Sequence, residues 1–400
     1  WEGEIHLNDH TDKPTYGKLE FDRRELVISD ILKFDTRLIH TVNFSGGDLC
    51  LGLVTLNIIR FKSFDASFLP SLIDEIARHQ VLPRNLLLGE TPTKASSVNV
   101  DPRWRQSESN ADYKLCKTYP SIIMVPAKIP DSALKHAACF RAHHRFPILA
   151  WTGREGFGVL ARSGAPLVGL LGKRSIQDEH LIGAFKDSSP AGTLMIVDAR
   201  PTINALASAV NGAGFEPLEH YAGCQRLFVN LENIHVIRRA FTLLVLGEGE
   251  EWQVHIRKLL RATRTIVDCL EQGMAVLVHC SDGWDRTSQL VSLAKICVDQ
   301  HYRTFSGLAD LIIDDWLAAG HKFSDRLCYH APLLGCLGET NNLSGGSFLR
   351  LIKSTMGQRP SAHEEFCPIF PQFLDAVGQL VKQSPGLFEY TLDDLHRVYM

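Results

Sequence analysis

Cys280 and Arg286 bracket the run His279-Cys280-Ser281-Asp282-Gly283-Trp284-Asp285-Arg286-Thr287. That is the spacing at which a thiol nucleophile and a guanidinium can share one bound phosphate. Amides of Ser281 to Arg286 can converge on an anion, and the start of a following helix adds partial positive charge, so phosphate binding needs no lysine. The same field favours a thiolate at Cys280. The planar fork of Arg286 can hold two phosphate oxygens and neutralise the charge of transfer. The chemistry implied is in-line attack of Cys280 on phosphorus, protonation of the leaving alkoxide by an acid, and hydrolysis of the phosphocysteine by water. It requires no metal and no cofactor. Asp285, next to Arg286, is the first choice for the acid and Asp282 the second, although spacing alone does not rank them. Thr287 or Ser288 would hydrogen-bond the sulfur.

Such a loop has to be delivered by its neighbours. Residues 251–272 place Trp252, Ile256, Leu259, Leu260, Thr263, Ile266, Val267 and Leu270 on one face, with Gly273 as a stop, which predicts an amphipathic helix. Met274 to Val278 is a continuous apolar run and reads as a buried strand, and from Thr287 the spacing of Leu290, Leu293, Ala294 and Cys297 is helical again. A second Cys-x5-Arg run, Cys139 to Arg145, follows a helical stretch at 132–138 and has neither a preceding strand nor a glycine, so it reads as coincidence. Cys269 and Cys297 read as buried thiols. His279 fits a place behind the loop as well as a part in the chemistry, and Trp284 fits core and substrate wall equally. Two carboxylates beside a phosphate site are electrostatically costly without a task, which favours a role for Asp282 and Asp285.

Residues 1 to about 65 alternate short strands with turn residues: Lys18 to Phe21, Leu26 to Ile28, Thr41 to Phe44, then Leu51 to Phe61. Leu69, Leu72, Ile73 and Ile76 have helical spacing and would close a small β-rich unit over residues 1–85, followed by a linker at 86–107. The catalytic domain is expected at 108–400, with short apolar runs at Ile122 to Val125, Ile148 to Trp151, Leu167 to Leu171 and Thr193 to Val197 as strands of a central sheet flanked by helices, an α/β fold. The Gly- and Asn-rich stretch 331–361 reads as an irregular excursion.

The 400 residues suit two or three domains, and 45% hydrophobic content supports sizeable cores. A net charge of -3 gives no global field for nucleic acid or an anionic surface, so phosphate recognition must be local. Ten cysteines without paired CxxC spacing argue against a zinc site and for a reducing, intracellular setting. No apolar run reaches the roughly 18 residues of a membrane span. The chain opens Trp1-Glu2-Gly3 with no leader, and because residue 1 is not Met the native start is expected upstream.

The run from His279 to Thr287, with its two acidic residues, resembles the active-site signature of the myotubularin family. Further matches lie in order: Asn110 to Lys114, Thr118-Tyr119-Pro120, Phe146 to Trp151, Gly172 to Ser175, Asp198 to Pro201, Asn233 to Val236 and Gly320 to Phe323. The likeness covers about 108–330 and resumes at 368–390. It implies a cysteine-phosphatase (protein tyrosine phosphatase-like) α/β domain preceded by a PH-GRAM-like unit. It also implies phosphatidylinositol 3-phosphate and phosphatidylinositol 3,5-bisphosphate as substrates. By the same resemblance Asp285 is the general acid, Asn233, Ile234, Ser281, Asp282, Gly283 and Trp284 line the headgroup pocket, and Lys322 and Arg326 meet substrate phosphates. Lys322 stands where the family usually has Arg, which turns a bidentate grip into a point charge. Ser208 stands where the family has a headgroup-contacting Asn. A cytoplasmic protein peripheral on endosomal or other phosphoinositide-containing membranes follows. Homo- or hetero-oligomers would use segments outside this chain. The competing readings are a protein phosphotyrosine phosphatase, whose acid usually sits on a separate loop, and a non-catalytic lipid-binding adaptor, which would not need the nucleophile.

Overall fold

A computed structural model describes the strands named below between residues 2 and 61, and residues 101–153, 156–327 and 365–399. The chain divides into two units, Trp1–Asn99 with His396–Met400, and Val100–Leu395. In the first, β1 (Glu2–Leu7), β2 (Thr15–Asp22), β3 (Glu25–Ile28), β4 (Leu32–Asp35), β5 (Ile39–Ser45), β6 (Asp48–Leu53) and β7 (Ile58–Phe61) form one sheet in the order β4-β3-β2-β1-β7-β6-β5. Every neighbouring pair is antiparallel. The stretch from Leu51 to Phe61, expected as one strand, contributes to two, β6 and β7, which pair with each other. The helix expected from Leu69 to Ile76 and the excursion at 331–361 lie outside the described residues.

The second unit opens with a hairpin-like pair, β8 (Trp104–Ser107) and β9 (Ile123–Pro126). This corrects the expected linker at 86–107: Trp104 is buried and lies 5.5 Å, centroid to centroid, from Phe185. The central sheet is β10 (Ile148–Thr152), β11 (Val159–Ser163), β12 (Leu194–Asp198), β13 (Cys224–Phe228) and β14 (Ala275–His279), in the order β10-β11-β14-β12-β13. It is mixed: β10 runs antiparallel to β11, and β11, β14, β12 and β13 run parallel. A strand was expected at Leu167 to Leu171, but that stretch is a loop with Leu170 and Leu171 exposed, and β11 takes its place. The apolar run of β11 stops at Arg162 and Ser163, both buried, so its sequence does not read as a central strand.

Helices flank the sheet: α1 (Asp131–Cys139), α2 (Ile176–Asp187), α3 (Thr202–Ala207), α4 (Ile234–Val245), α5 (Glu250–Glu271), α6 (Arg286–Val298), α7 (Phe305–Ile312), α8 (Phe323–Leu327), α9 (Ile369–Gln383) and α10 (Leu392–Tyr399). Ala275 and Leu277 of β14 join a core with Leu134 and Ala138 of α1 and Leu181 and Phe185 of α2. Because strand side chains alternate, Val276 and Val278 face the opposite layer, where α5 and α6 pack on β14. A strand buried on both faces needs the continuous apolar run seen in its sequence, each such Val or Leu contributing about 1.5–3 kcal/mol. No helix among the described residues is long and apolar enough to cross a membrane.

Candidate active site

The strand β14 ends at His279, and Cys280 to Asp285 turn over its tip before α6 begins at Arg286. Cys280 is 2% exposed, and the Gly283 amide donates to its Sγ at 3.2 Å. On the other side of the same residue the Gly283 carbonyl accepts from Arg145 Nη2 at 2.9 Å and Arg162 Nη2 at 3.0 Å, which braces the loop from behind. Gly283 has φ +83°, and a Cβ there would sit 2.4 Å from the Ser163 carbonyl oxygen, so no other residue fits. Arg286 donates to the Leu231 carbonyl (3.0 Å) and to Ser281 Oγ (3.4 Å), which returns its guanidinium over the loop that began at Cys280. A sulfur at a strand tip, an amide aimed at it and a guanidinium over the same loop can hold and attack a tetrahedral oxyanion.

The two carboxylates of the loop differ. Asp282 lies at the mouth with its side chain 35% exposed, 3.0 Å from His143 Nε2, and it accepts from Ser281 Oγ at 3.3 Å. Asp285 is buried and accepts from Arg326 Nη2 at 2.9 Å and Nε at 3.2 Å. His321 Nδ1 stands 2.9 Å from the Trp284 carbonyl oxygen and 3.1 Å from Asp285 Oδ1, and two acceptors around one nitrogen require that it carry the hydrogen. Burial pushes the Asp285 carboxyl up, but His321 and Arg326 outweigh it and hold the group well below the usual carboxylate range. With this clasp closed, Asp285 is an ionised acceptor.

Of the remaining predicted residues, Trp284 is 4% exposed and packs on His143, with ring centroids 4.5 Å apart. Lys322 Nζ lies 4.9 Å from the Trp284 ring centroid and 3.4 Å from Asp325, its side chain 40% exposed. Arg326 is fully engaged, since Glu365 takes its Nη1 at 2.6 Å while Asp285 takes the rest. Asn233 caps α4, its Oδ1 accepting from the amides of His235 and Val236. Asn233 and Ile234 follow Leu231, which Arg286 grips, so the start of α4 is tied to the loop. The Ser208 hydroxyl accepts from Arg200 and donates to the Ala205 carbonyl. Ser288 Oγ donates to the Trp284 carbonyl and accepts from Arg162 rather than serving the sulfur. Among the described residues no cluster of His, Cys, Asp and Glu is arranged to hold a metal ion.

Behind the loop is a charged layer that sequence reasoning missed. His279 is buried, with Nδ1 3.2 Å from the Cys280 carbonyl oxygen and Nε2 3.3 Å from Glu216 Oε2. Oxygens near both nitrogens favour the charged imidazole. Burial pushes the imidazole down, but the Glu216 and Asp198 carboxylates outweigh it and raise its pKa. Glu216 also takes Arg141 Nη1 at 2.7 Å, and Arg141 reaches Asp178 at 2.6 Å. Burial pushes Glu216 up, yet His279 and Arg141 carry it well below the ordinary value of 4.5. The arginines of this layer, Arg141 and Arg145, belong to the second Cys-x5-Arg run, whose Cys139 lies exposed at the end of α1. The one available signal was an arginine inside a strand, Arg162, a charge that must be paired if buried.

A consequence is testable. Glu216→Gln leaves two buried cations short of a counter-charge and should cost about 3–5 kcal/mol of stability by thermal or urea melts. The wild-type contribution of Glu216 is complete above its ordinary pKa of 4.5 and is lost as pH falls through its depressed value. That of His279 is complete below 6.5 and is lost as pH rises through its raised value. The gap between wild type and variant should therefore be widest between those two values, and a gap independent of pH would rule the charge pairing out.

Residues 88–399 match the family model described as a myotubularin-like phosphatase domain. Over 303 residues the chain is 36% identical to a Bos taurus protein named phosphatidylinositol-3,5-bisphosphate 3-phosphatase MTMR2, covering 72% of this chain and 43% of that protein. It is 34% identical over 371 residues to an Arabidopsis thaliana protein named phosphatidylinositol-3-phosphatase myotubularin-1, covering 76% and 44% respectively. It is 34% identical over 304 residues to the Xenopus tropicalis protein named myotubularin, covering 72% and 46%. The chain thus spans less than half the length of each of these relatives.

Proposed function

This chain belongs to the family of myotubularin-like phosphatases, and on that premise we propose that it hydrolyses the 3-phosphate of phosphatidylinositol 3-phosphate and phosphatidylinositol 3,5-bisphosphate. The observation that carries this reading is the Gly283 amide 3.2 Å from the Cys280 sulfur, in a loop closed at its far end by Arg286.

In the proposed reaction the Cys280 thiolate attacks phosphorus in line, the loop amides and Arg286 take the phosphoryl oxygens, and the P–O bond to the inositol ring breaks. The alkoxide leaves with a proton from Asp285. Asp285 is held ionised by Arg326 and His321 in the free protein, so substrate has to change that balance. A phosphate dianion arriving beside the loop raises the proton affinity of a nearby carboxylate, and a phosphate that competes for Arg326 loosens the clasp as well. After transfer, ionised Asp285 accepts a proton from the water that cleaves the phosphocysteine, a role for which its resting environment suits it. Ser281, Asp282, Gly283, Trp284, Asn233 and Ile234 are proposed to surround the headgroup. Lys322 and Arg326 are proposed to meet its other phosphates, and Asp282 to accept from ring hydroxyls.

The N-terminal antiparallel sheet supports a PH-GRAM-like unit over about residues 1–85, with the phosphatase domain running from Val100. The lipid substrate places the protein at the cytoplasmic face of endosomal or other phosphoinositide-containing membranes, with homo- or hetero-oligomers formed through segments outside this chain.

The test is phosphate release from short-chain lipids. Turnover of the 3-phosphate and the 3,5-bisphosphate is expected, with little from a phosphotyrosine peptide and little from the 3,4,5-trisphosphate, whose crowded charge meets Asp282. Comparable turnover of the trisphosphate would overturn the headgroup assignment, and a preference for the peptide would overturn the lipid reading.

A further inference from the structure

We infer that Leu170, Leu171, Ile203, Leu206 and Val210 form a membrane-docking surface that seats the Cys280 edge of the sheet on an anionic lipid bilayer. The inference rests on the lipid substrate proposed above and names the surface that would deliver the enzyme to it.

These side chains are strongly exposed: Leu170 74%, Leu171 89%, Ile203 77%, Leu206 54% and Val210 72%. A single exposed apolar residue needs no explanation, but a contiguous group does. Ile203, Leu206 and Val210 recur at helical spacing along α3 and the 3-10 turn Ser208–Asn211 that continues it, so they share one face. Leu170 and Leu171 come from the loop after β11. That loop abuts the end of the same turn: the Gly169 amide donates to the Ala213 carbonyl at 2.8 Å, and a Cβ on Gly169 would stand 3.5 Å from Gly212 Cα. Arg200 fastens the second segment to β12, donating to Ser208 Oγ and to the Gly214 carbonyl while paired with Asp198. The two segments therefore form one braced surface.

Its position follows from the topology. Strands β11, β12 and β14 are parallel, with Ser163 and Asp198 both in register with His279. The loop carrying Leu170, the segment carrying Ile203 and the Cys280 loop all leave the same edge of the sheet. The Ala165 amide donates to the Ser281 carbonyl at 3.0 Å, joining the first of these loops directly to the third.

Charge selects the partner. Residues 164–175 and 199–215 contain no Asp or Glu, and their exposed cations are Lys173 and Arg174, Arg200 being buried against Asp198. Lys173 and Arg174 directly follow the exposed leucines and are themselves exposed, Arg174 pairing with Glu179. Apolar side chains flanked by Lys173 and Arg174 suit the interface of an anionic bilayer, where acyl chains receive the former and headgroups the latter.

The experiment is co-sedimentation of the full chain with phosphatidylcholine vesicles that contain phosphatidylserine but no phosphoinositide, so that binding is read without the active site. Wild type should bind these more tightly than pure phosphatidylcholine vesicles. The pairs Leu170→Glu/Leu171→Glu and Ile203→Glu/Val210→Glu should each weaken binding by about tenfold or more. The milder Leu171→Ser/Val210→Ser pair should shift it in the same direction, with unchanged thermal melts. Turnover of phosphatidylinositol 3-phosphate embedded in vesicles should fall in parallel, while turnover of the soluble short-chain lipid stays at the wild-type level. Failure of wild type to bind, or full binding by any pair, overturns the inference. Substitutions that instead abolish self-association in analytical ultracentrifugation and spare vesicle binding would give the surface to a second copy of the chain and overturn it too. Absence of soluble-lipid turnover in wild type would sink the substrate reading and leave the vesicle comparison standing on its own.

Discussion

Cys280→Ser is expected to lower phosphate release from short-chain phosphatidylinositol 3-phosphate by about ten-thousand-fold or more, while leaving the protein folded and able to bind the lipid. A serine hydroxyl is a weak nucleophile unless a base lies beside it. None does among the described residues: the sulfur accepts from the Gly283 amide, a donor, and the loop carboxylates are committed to His143, Arg326 and His321. The same amide can donate to a serine oxygen, so the buried position keeps its partner and melts should shift by no more than about 1 kcal/mol. The expected result is a protein whose release assay is flat and whose lipid binding persists. Release surviving at more than a small fraction of wild type would move the nucleophile elsewhere.

Asp285→Asn should lower kcat by roughly a hundred- to ten-thousand-fold with the phosphoinositide. The loss separates from a merely structural one by choice of leaving group. An inositol alkoxide needs a proton as it departs, whereas p-nitrophenolate does not, so p-nitrophenyl phosphate should suffer a much smaller penalty as long as its first step limits the rate. Equal losses on both substrates would reassign Asp285 to holding Arg326 in place. The variant also carries a stability signature. Asp285 is held well below the ordinary 3.8, so its contribution is complete above that value and is lost as pH falls through the depressed one. The asparagine variant lacks this acid-side loss. At neutral pH it should be about 1–3 kcal/mol less stable, because among the described residues Arg326 then keeps Glu365 alone as a charged partner.

The clasp of Asp285, Arg326 and Glu365 also explains why the two loop carboxylates, indistinguishable by spacing, are not equivalent. Asp282 stands at the mouth beside an exposed histidine, and Asp285 stands behind it between an arginine and His321. Those partners come from positions 143, 321, 326 and 365, on three separate stretches of chain. Local pattern carries no record of which of them will meet.

Much of the site was legible because its logic is local. The strand to His279, the loop, Gly283 and the helix from Arg286 are neighbours in sequence, and each announces itself by an apolar run, a glycine or a helical spacing. The helix α5 was read to within a residue at each end for the same reason. Strand β11 was not, because buried Arg162 and Ser163 break its apolar run, and the exposed leucines at 170 and 171 imitate one. The burial of Trp284 turned on packing against His143, which lies far from it in sequence.

The sequence by itself pointed to the proposed reaction chemistry, to the nucleophile and phosphate-binding arginine proposed for it, and to the α/β setting, since all of these follow from residue types at short range. Only the tertiary structure decided what braces the loop. Arg145 and Arg162 hold the Gly283 carbonyl from behind while the Gly283 amide donates to sulfur, and the Glu216 carboxylate favours the charged form of His279 beneath Cys280. The physical reason is that a buried charge persists only beside its partner, and such partners are supplied by whichever strands the fold brings together.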